Sequence, residues 1–223
     1  MKIVDVPQTG KLGLTVTYPG RNGLIRRTKV TPANPRTSAQ TAVRSDLASQ
    51  ASAYRQMTDA QILAWRAAAA KIKSTPTLGQ SGPLTGLQLF TKINCALLAI
   101  GQPAVIAPPP APVLIAPPVD GLQVTNTAGT IAVKLHTTGA PEANTMLLGA
   151  APVSAGVFRC PQCKLLGTLG APAADGYVDI TSAYTASFGA PAVGQRVFVQ
   201  VKSNTNGWEG RPVTFSARVP AGA

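Results

Sequence analysis

Two cysteines three positions apart form the most specific chemical motif of the sequence. In Cys160-Pro-Gln-Cys163 the spacing allows two thiolates to bind one metal ion or to form a tight disulfide. A structural zinc site needs four ligands, and Cys95 and His136 are the conventional soft ligands that remain in the chain. The motif also lies between predicted strands, unlike thioredoxin-like motifs at strand-to-helix junctions. We therefore predict no metal site and a solvent-exposed turn, oxidised if the protein leaves the cytoplasm.

The only histidine, His136, has little around it that supports catalysis. It lies in the predicted strand KLHTT, at a position of the alternating pattern, and this favours a surface or edge-strand histidine over a general base. No G-x-S-x-G surrounds any serine, and no glycine-rich phosphate loop is present. Asp175 and Asp179 flank a predicted strand start, where carboxylates commonly close turns. We therefore expect neither an enzyme nor a cofactor-binding protein.

The chain of 223 residues is strongly basic, with a formal net charge of +12 and a pI of about 10.2. Residues 1–102 hold 13 of the 20 Lys and Arg but only 3 of the 8 Asp and Glu, a net charge of +10. Such a region attracts nucleic acid, acidic lipid or an acidic protein surface. The charged fraction of 13%, with 21 Gly and 20 Pro, favours turn-rich β structure over a highly charged enzyme surface.

Cations in the extended segment before the first predicted helix are the predicted partner-binding residues: Arg21, Arg26, Arg27, Lys29 and Arg36. An arm of this kind can follow phosphates or pair with acidic patches of a neighbouring subunit. Tyr18 is the main aromatic residue nearby that could stack on a base, and no recognition-helix motif is evident. We therefore favour a protein partner, with nucleic acid as the alternative.

The N-terminal half is predicted to contain a basic extended arm or hairpin (1–36) and a three-helix region (37–101). Alternating runs at 12–18 and 24–30 flank the turn signal PGRNG, and their few apolar residues need a surface to lie on. Ser38 or Thr37 is the predicted N-cap of the first helix, and the second helix follows Thr58 with its capping partner Gln61. The third covers 85–100. Within the first helix, apolar and aromatic residues recur at helical spacing: Ala42, Val43, Leu47, Ala51 and Tyr54.

Prolines dominate residues 102–119, which are predicted to be a linker. They impose polyproline II conformation, which favours a semi-rigid spacer, with a ligand for a proline-reading domain as the alternative. The prolines are Pro103, Pro108, Pro109, Pro110, Pro112, Pro117 and Pro118.

Residues 120–223 show about seven short strands separated by turn residues, the pattern of an all-β sandwich. The predicted strands are 122–125, 131–136, 145–149, 164–169, 177–180, 195–202 and 213–219. The last two are expected to pair as a hairpin whose loop contains Asn206-Gly207. The predicted fold class is therefore a multidomain α+β chain.

Both halves resemble known groups of proteins. The sandwich pattern resembles fibronectin type III modules, which end in such a pair of strands. The first hundred residues resemble phage- and prophage-encoded proteins of unassigned role. These share a glycine-containing basic N-terminus, N-P-R-T-x-x-Q at a helix start, a helix such as QILAWRAAAAK, and a helix such as LQLFTKIN before a proline-rich junction.

This resemblance implies a non-enzymatic structural protein of a bacteriophage-like virion. It would be made in the host cytoplasm and would be a capsid decoration protein, a minor capsid protein or a tail component. Other virion proteins are the expected partners, with homo-oligomerisation in the assembly. No membrane span is expected, because no stretch approaches roughly 18–20 apolar residues. The alternatives are a nucleic-acid-associated protein that uses the basic half, or a surface glycan-binding module with Trp208 as its stacking residue.

Overall fold

The computed structural model describes residues 9–20, 23–31, 33–73 and 82–222. The chain divides into two compact units, Met1–Val43 and Arg44–Ala223. In chain order the elements are β1 (Gly10–Leu12), β2 (Thr15–Gly20), β3 (Gly23–Thr28), α1 (Ser38–Arg55), α2 (Asp59–Ala70), α3 (Gly86–Ala99), β4 (Val119–Thr127), β5 (Thr130–Thr137), β6 (Met146–Gly149), β7 (Lys164–Thr168), β8 (Tyr177–Asp179), α4 (Thr181–Phe188), β9 (Arg196–Lys202), β10 (Asn204–Thr205), β11 (Trp208–Glu209) and β12 (Val213–Arg218). This mixture of helices and antiparallel sheets confirms the predicted α+β class, whereas the predicted domain boundaries stay a prediction.

An antiparallel sheet in the order β1-β2-β3 occupies the N-terminal unit. The predicted hairpin is present as β2 and β3, which pair along their whole length. Its turn residues 21 and 22 lie outside the described part of the chain. The sequence pattern does not predict β1, which is joined to β2 by Gly13 and Leu14. Gly13 has a φ of 56°, a left-handed value that glycine adopts without steric cost.

Threonine side chains cap the starts of α1, α2 and α3. Thr37, one of the two predicted caps of α1, accepts a hydrogen bond from the Gln40 backbone N–H at 3.3 Å. The predicted capping box of Thr58 and its partner three residues later is present at α2, and Thr85 forms a second box at α3. The three helices therefore begin where the sequence predicts.

The helical core lies around Phe90. Its ring centroid is 5.2 Å from that of Trp65, edge to face, and 5.4 Å from that of Tyr54. Val43 and Leu47 of α1, which recur at helical spacing, are 68% and 52% exposed. Only the end of α1 is buried, because α2 and α3 supply most of the core. The buried cluster consists of Tyr54, Trp65, Ala69, Leu89, Phe90, Ile93 and Leu97.

Two antiparallel sheets, β4-β5-β8 and β12-β9-β6-β7, hold a second core between them. Their strands correspond to the seven predicted ones, with ends that differ by a few residues. Alternating residues of both sheets meet inside, as in a β-sandwich. The buried residues include Val124, Val133, Leu135 and Val178 from the first sheet, and Leu147, Val197, Val199 and Val201 from the second.

Helix α4, which the sequence pattern does not predict, closes this core. Tyr184 is fully buried in it and donates its hydroxyl to the Ala150 carbonyl at 2.8 Å. Burial raises the pKa of Tyr184 to about 12. At the helix start, hydrogen bonds from the side chain and backbone of Thr181 hold the pKa of Asp179 below its ordinary value. Asp179 therefore has the turn role predicted for it.

Replacement of Tyr184 by phenylalanine is expected to lower the free energy of unfolding by about 1 kcal/mol, because the buried Ala150 carbonyl loses a hydrogen bond. Urea denaturation measures the loss. Tyr177→Phe is the control, since that ring is only partly buried. Equal losses for the two variants would contradict a specific contribution of the Tyr184 hydroxyl.

The proline-rich segment is hydrogen-bonded to the helices along its first part. Trp65 donates its indole N–H to the Ile106 carbonyl at 2.7 Å. The Asn94 side chain accepts from the Val105 N–H at 2.7 Å and donates to the Val105 carbonyl at 3.2 Å. These side chains therefore satisfy backbone groups of the segment. Residues 105 and 106 are therefore fixed on the helices.

A small hairpin in the loop between β9 and β12 connects the sheets with the helices. Its strands β10 and β11 flank the predicted Asn206-Gly207 turn, whose residues have φ values of 51° and 85°. Two positive φ values are what a type I′ turn requires. Trp208 follows, packs against the helical core and donates its indole N–H to the Pro109 carbonyl at 3.3 Å. Trp208 is thus a packed anchor in this hairpin.

Gly207→Ala is expected to destabilise the protein more than Gly129→Ala, although both glycines have a φ of 85°. The left-handed conformation costs alanine about 1–2 kcal/mol at either position. A β-carbon at Gly129 meets open space, whereas one at Gly207 would lie 2.7 Å from the Ile93 carbonyl oxygen. Moving that backbone adds about 1–3 kcal/mol, which urea unfolding of the two variants would resolve. The same loss for both variants would show that the α3 backbone at Ile93 can shift with little loss in the free energy of unfolding.

In the described part of the chain, no helix combines the length and the apolar character that a membrane span needs.

Candidate docking surface

The register of the N-terminal sheet sorts its side chains onto two faces. Residues opposite each other in neighbouring strands share a face, and successive residues alternate between faces. The Arg27 face consists of Lys11, Val16, Tyr18, Ile25 and Arg27. The Arg26 face consists of Leu12, Thr15, Thr17, Leu24 and Arg26.

The Arg27 face gathers cations around a shallow groove. Lys11, Arg27 and Lys29 line this groove, which has a volume of about 350 Å³. The guanidinium of Arg27 lies 5.4 Å from the centroid of the Tyr18 ring, a cation–π contact that orients it. The backbone N–H of Lys29 donates to the Leu14 carbonyl at 2.6 Å, which ties the residue to the loop between β1 and β2. Three cations in one groove favour an anionic partner.

The Arg26 face combines a cation with apolar side chains. Leu12 and Leu24 are 66% and 46% exposed. Arg26 donates from Nε to the Thr17 hydroxyl at 3.4 Å, which holds its side chain along the strands. Apolar area beside arginine is typical of a surface that contacts another protein.

The other predicted cations lie apart from these faces. Arg36 is in the turn before α1 and has a φ of 47°, which is uncommon for a residue other than glycine. Arg21 lies outside the described residues. The structure therefore brings Arg27 and Lys29 together, places Arg26 on the opposite face and separates Arg36 from the sheet.

The described residues of the N-terminal unit whose exposure is defined include no buried one. A three-stranded sheet normally gains its stability by burying one face. Here each face carries exposed apolar side chains, so folding removes little apolar surface from water. Among its described residues, the sheet therefore has no hydrophobic core of its own.

Sequence reasoning missed Lys11, because the first strand is only three residues long. The signal that could have found it is the dipeptide Gly13-Leu14. A two-residue loop with glycine at its first position is typical of a type II′ hairpin. That turn places Leu12 opposite Thr15 and Lys11 opposite Val16, as observed.

His136 is paired with a carboxylate rather than with a nucleophile. Its Nδ1 lies 2.5 Å from Asp120 Oδ1, and its ring contacts Tyr177 with centroids 4.9 Å apart. It lies in β5, the middle strand of its sheet, with its side chain 38% exposed, so of the predicted surface or edge-strand position the surface alternative is observed. Asp175 accepts a hydrogen bond from the Tyr177 N–H at 3.1 Å, the turn role predicted for it.

The Cys160 and Cys163 sulfurs lie 3.3 Å apart in the loop between β6 and β7, with both thiols free. The amide of Gln200 in β9 donates to Cys160 Sγ at 3.7 Å. Burial, a hydrogen bond with Cys160 and the negative charge that the Cys160 thiolate would carry raise the pKa of Cys163 to about 12. Within the described ranges, no group of three or more His, Cys, Asp or Glu could hold a metal ion.

The raised pKa predicts slow alkylation of Cys163 in the reduced protein. Only the thiolate reacts with iodoacetamide, so the rate should increase with pH through the range up to about 12. Mass spectrometry of quenched samples gives the rate at each pH. Unfolding in urea is the control and should accelerate alkylation at neutral pH. A native rate that matches the unfolded rate at pH 8 would contradict the prediction.

Comparisons with known proteins find no relative of this chain. No protein-family model matches it, and neither does any curated protein or solved structure. The candidate docking surface is therefore described only from the strand register of the N-terminal sheet and from the charges and exposure of its side chains.

Proposed function

We propose that this chain is a non-enzymatic structural protein of a phage-like particle. Its N-terminal sheet docks on an acidic surface of a neighbouring subunit, and its β-rich part is displayed. The observation that carries this proposal is a sheet with a defined strand register but no buried side chain among its described residues whose exposure is defined. The particle setting rests on the resemblance of the first hundred residues.

Both faces of the sheet support a protein partner. The groove lined by Lys11, Arg27 and Lys29 suits carboxylates, which form charge-assisted hydrogen bonds with such side chains. Leu12 and Leu24 add apolar area that a phosphate backbone would leave exposed. A protein surface with acidic and apolar residues accounts for both faces, whereas nucleic acid accounts for the cations alone.

The displayed part is proposed to be a fibronectin type III-like module. Sheets of three and four strands around one core support this assignment, as does the pairing of β9 with β12 at its end. Trp208 packs against the helices, which favours a structural anchor over a glycan-stacking residue.

Charge reversal in the groove tests the docking role. The double variant Lys11→Glu/Arg27→Glu is expected to be at least about tenfold depleted from particles purified on a density gradient from cells that carry the gene. Quantitative mass spectrometry gives the ratio of the chain to the major particle protein. The matched control is Lys164→Glu/Arg211→Glu, which makes the same charge change at exposed positions of the second unit.

Three results would contradict this function. The chain could be absent from particles, or the groove variant could be incorporated as well as the control. A third contradiction would be tight binding of random duplex DNA by the full chain, with a steep decrease of log K against log salt that the groove variant abolishes. That result would favour the nucleic-acid alternative. Circular dichroism melts of both variants confirm that any loss does not reflect unfolding of the second unit.

A further inference from the structure

We propose that Cys160 and Cys163 are a redox modification site that forms an intramolecular disulfide with a low-molecular-weight disulfide as oxidant. Their sulfurs are 3.3 Å apart, and a disulfide bond needs about 2.0 Å. Small rotations of the two side chains cover that difference. The site does not depend on the proposed function, since it needs only these two thiols and an oxidant.

Surrounding contacts hold the first sulfur and its loop in place. Gln200 donates its amide N–H to Cys160 Sγ at 3.7 Å and to the Thr214 hydroxyl at 3.0 Å, which places the sulfur beside β9 and β12. The guanidinium of Arg196, also in β9, lies 4.5 Å from the centroid of the Phe158 ring. Two contacts from one strand therefore limit the movement of the loop that carries both thiols.

Further backbone contacts fix the earlier part of the same loop. Val153 exchanges backbone hydrogen bonds with Arg196 at 2.8 and 3.0 Å, and the Ala150 N–H donates to the Phe198 carbonyl at 3.1 Å. The loop thus follows β9 on both sides of Phe158. Because the two sulfurs are already close in a held loop, disulfide formation requires little ordering.

The reaction is a two-step thiol–disulfide exchange. The Cys160 thiolate attacks one sulfur of oxidised glutathione, and one glutathione thiol leaves with a proton from solvent. Cys163 then loses its proton, its sulfur attacks Cys160 Sγ, and the second glutathione thiol leaves. The two cysteines lose two electrons and two protons in total, and the glutathione disulfide is reduced to two thiols. With its pKa raised to about 12, Cys163 is a poor thiolate source at neutral pH, so Cys160 makes the first attack. The second step is favoured by the short distance between the two sulfurs, which makes it intramolecular.

The experiment equilibrates the full chain in glutathione buffers with graded ratios of oxidised to reduced form. Samples are quenched in acid, unfolded, alkylated and digested with trypsin. Cleavage after Arg159 and Lys164 releases the peptide CPQCK, which contains these two thiols and no other. The expected result is that both cysteines lose alkylation together, with one midpoint, and that the peptide lacks two hydrogens. Cys95 should remain alkylated throughout.

Variants keep the outcome interpretable. Cys163→Ser should trap glutathione on Cys160, because the second step is missing, and Cys95→Ser should leave the midpoint unchanged. Full alkylation of CPQCK in oxidised glutathione alone would overturn the proposal. So would separate midpoints for the two cysteines, or an oxidised product that is a crosslinked dimer on a non-reducing gel.

Discussion

Close packing of the Asn206-Gly207 turn on α3 joins the two hydrophobic cores of residues 44–223. The absence of a side chain at Gly207 lets the turn approach Ile93, and Trp208 then extends over the helical core. Asn204 reaches the Ala96 carbonyl at 3.5 Å and Met146 Sδ at 3.6 Å from the same hairpin. The hairpin therefore links the helical core to the strands of the second core.

The proline-rich segment completes the same arrangement. Trp65 is fully buried, and a buried indole N–H needs an acceptor. The Ile106 carbonyl accepts it at 2.7 Å. Trp208, which is partly buried, donates its indole N–H to the Pro109 carbonyl of the same segment. Two tryptophans thus bind the segment from opposite parts of the unit, which explains why a sequence that resembles a free spacer is fixed along residues 105–109.

Local signals in the sequence predict the elements well, and long-range packing limits the rest. Caps at Thr58 and Thr85 and the Asn206-Gly207 turn depend on residues within four positions, so each is readable from the chain. The attachment of the proline-rich segment joins residues as far apart as Pro109 and Trp208, which no local pattern reports. The alternating runs predict the hairpin at the candidate site, but the placement of Lys11 on the same face as Arg27, on the other side of β2, requires the unpredicted β1.

Two chemically different faces restrict what can bind the N-terminal sheet. A partner that covers only the Arg27 face neutralises the cations but leaves Leu12 and Leu24 in water. A partner that covers only the Arg26 face buries apolar area but leaves Lys11 and Arg27 unpaired, at little cost because they stay hydrated. Tyr18 and Ile25 on the Arg27 face are also exposed, so burial of apolar area favours contact at both faces, while the cations increase the rate and selectivity of encounter. Under the proposed function, a neighbouring subunit with an apolar cleft and an acidic rim would cover both faces.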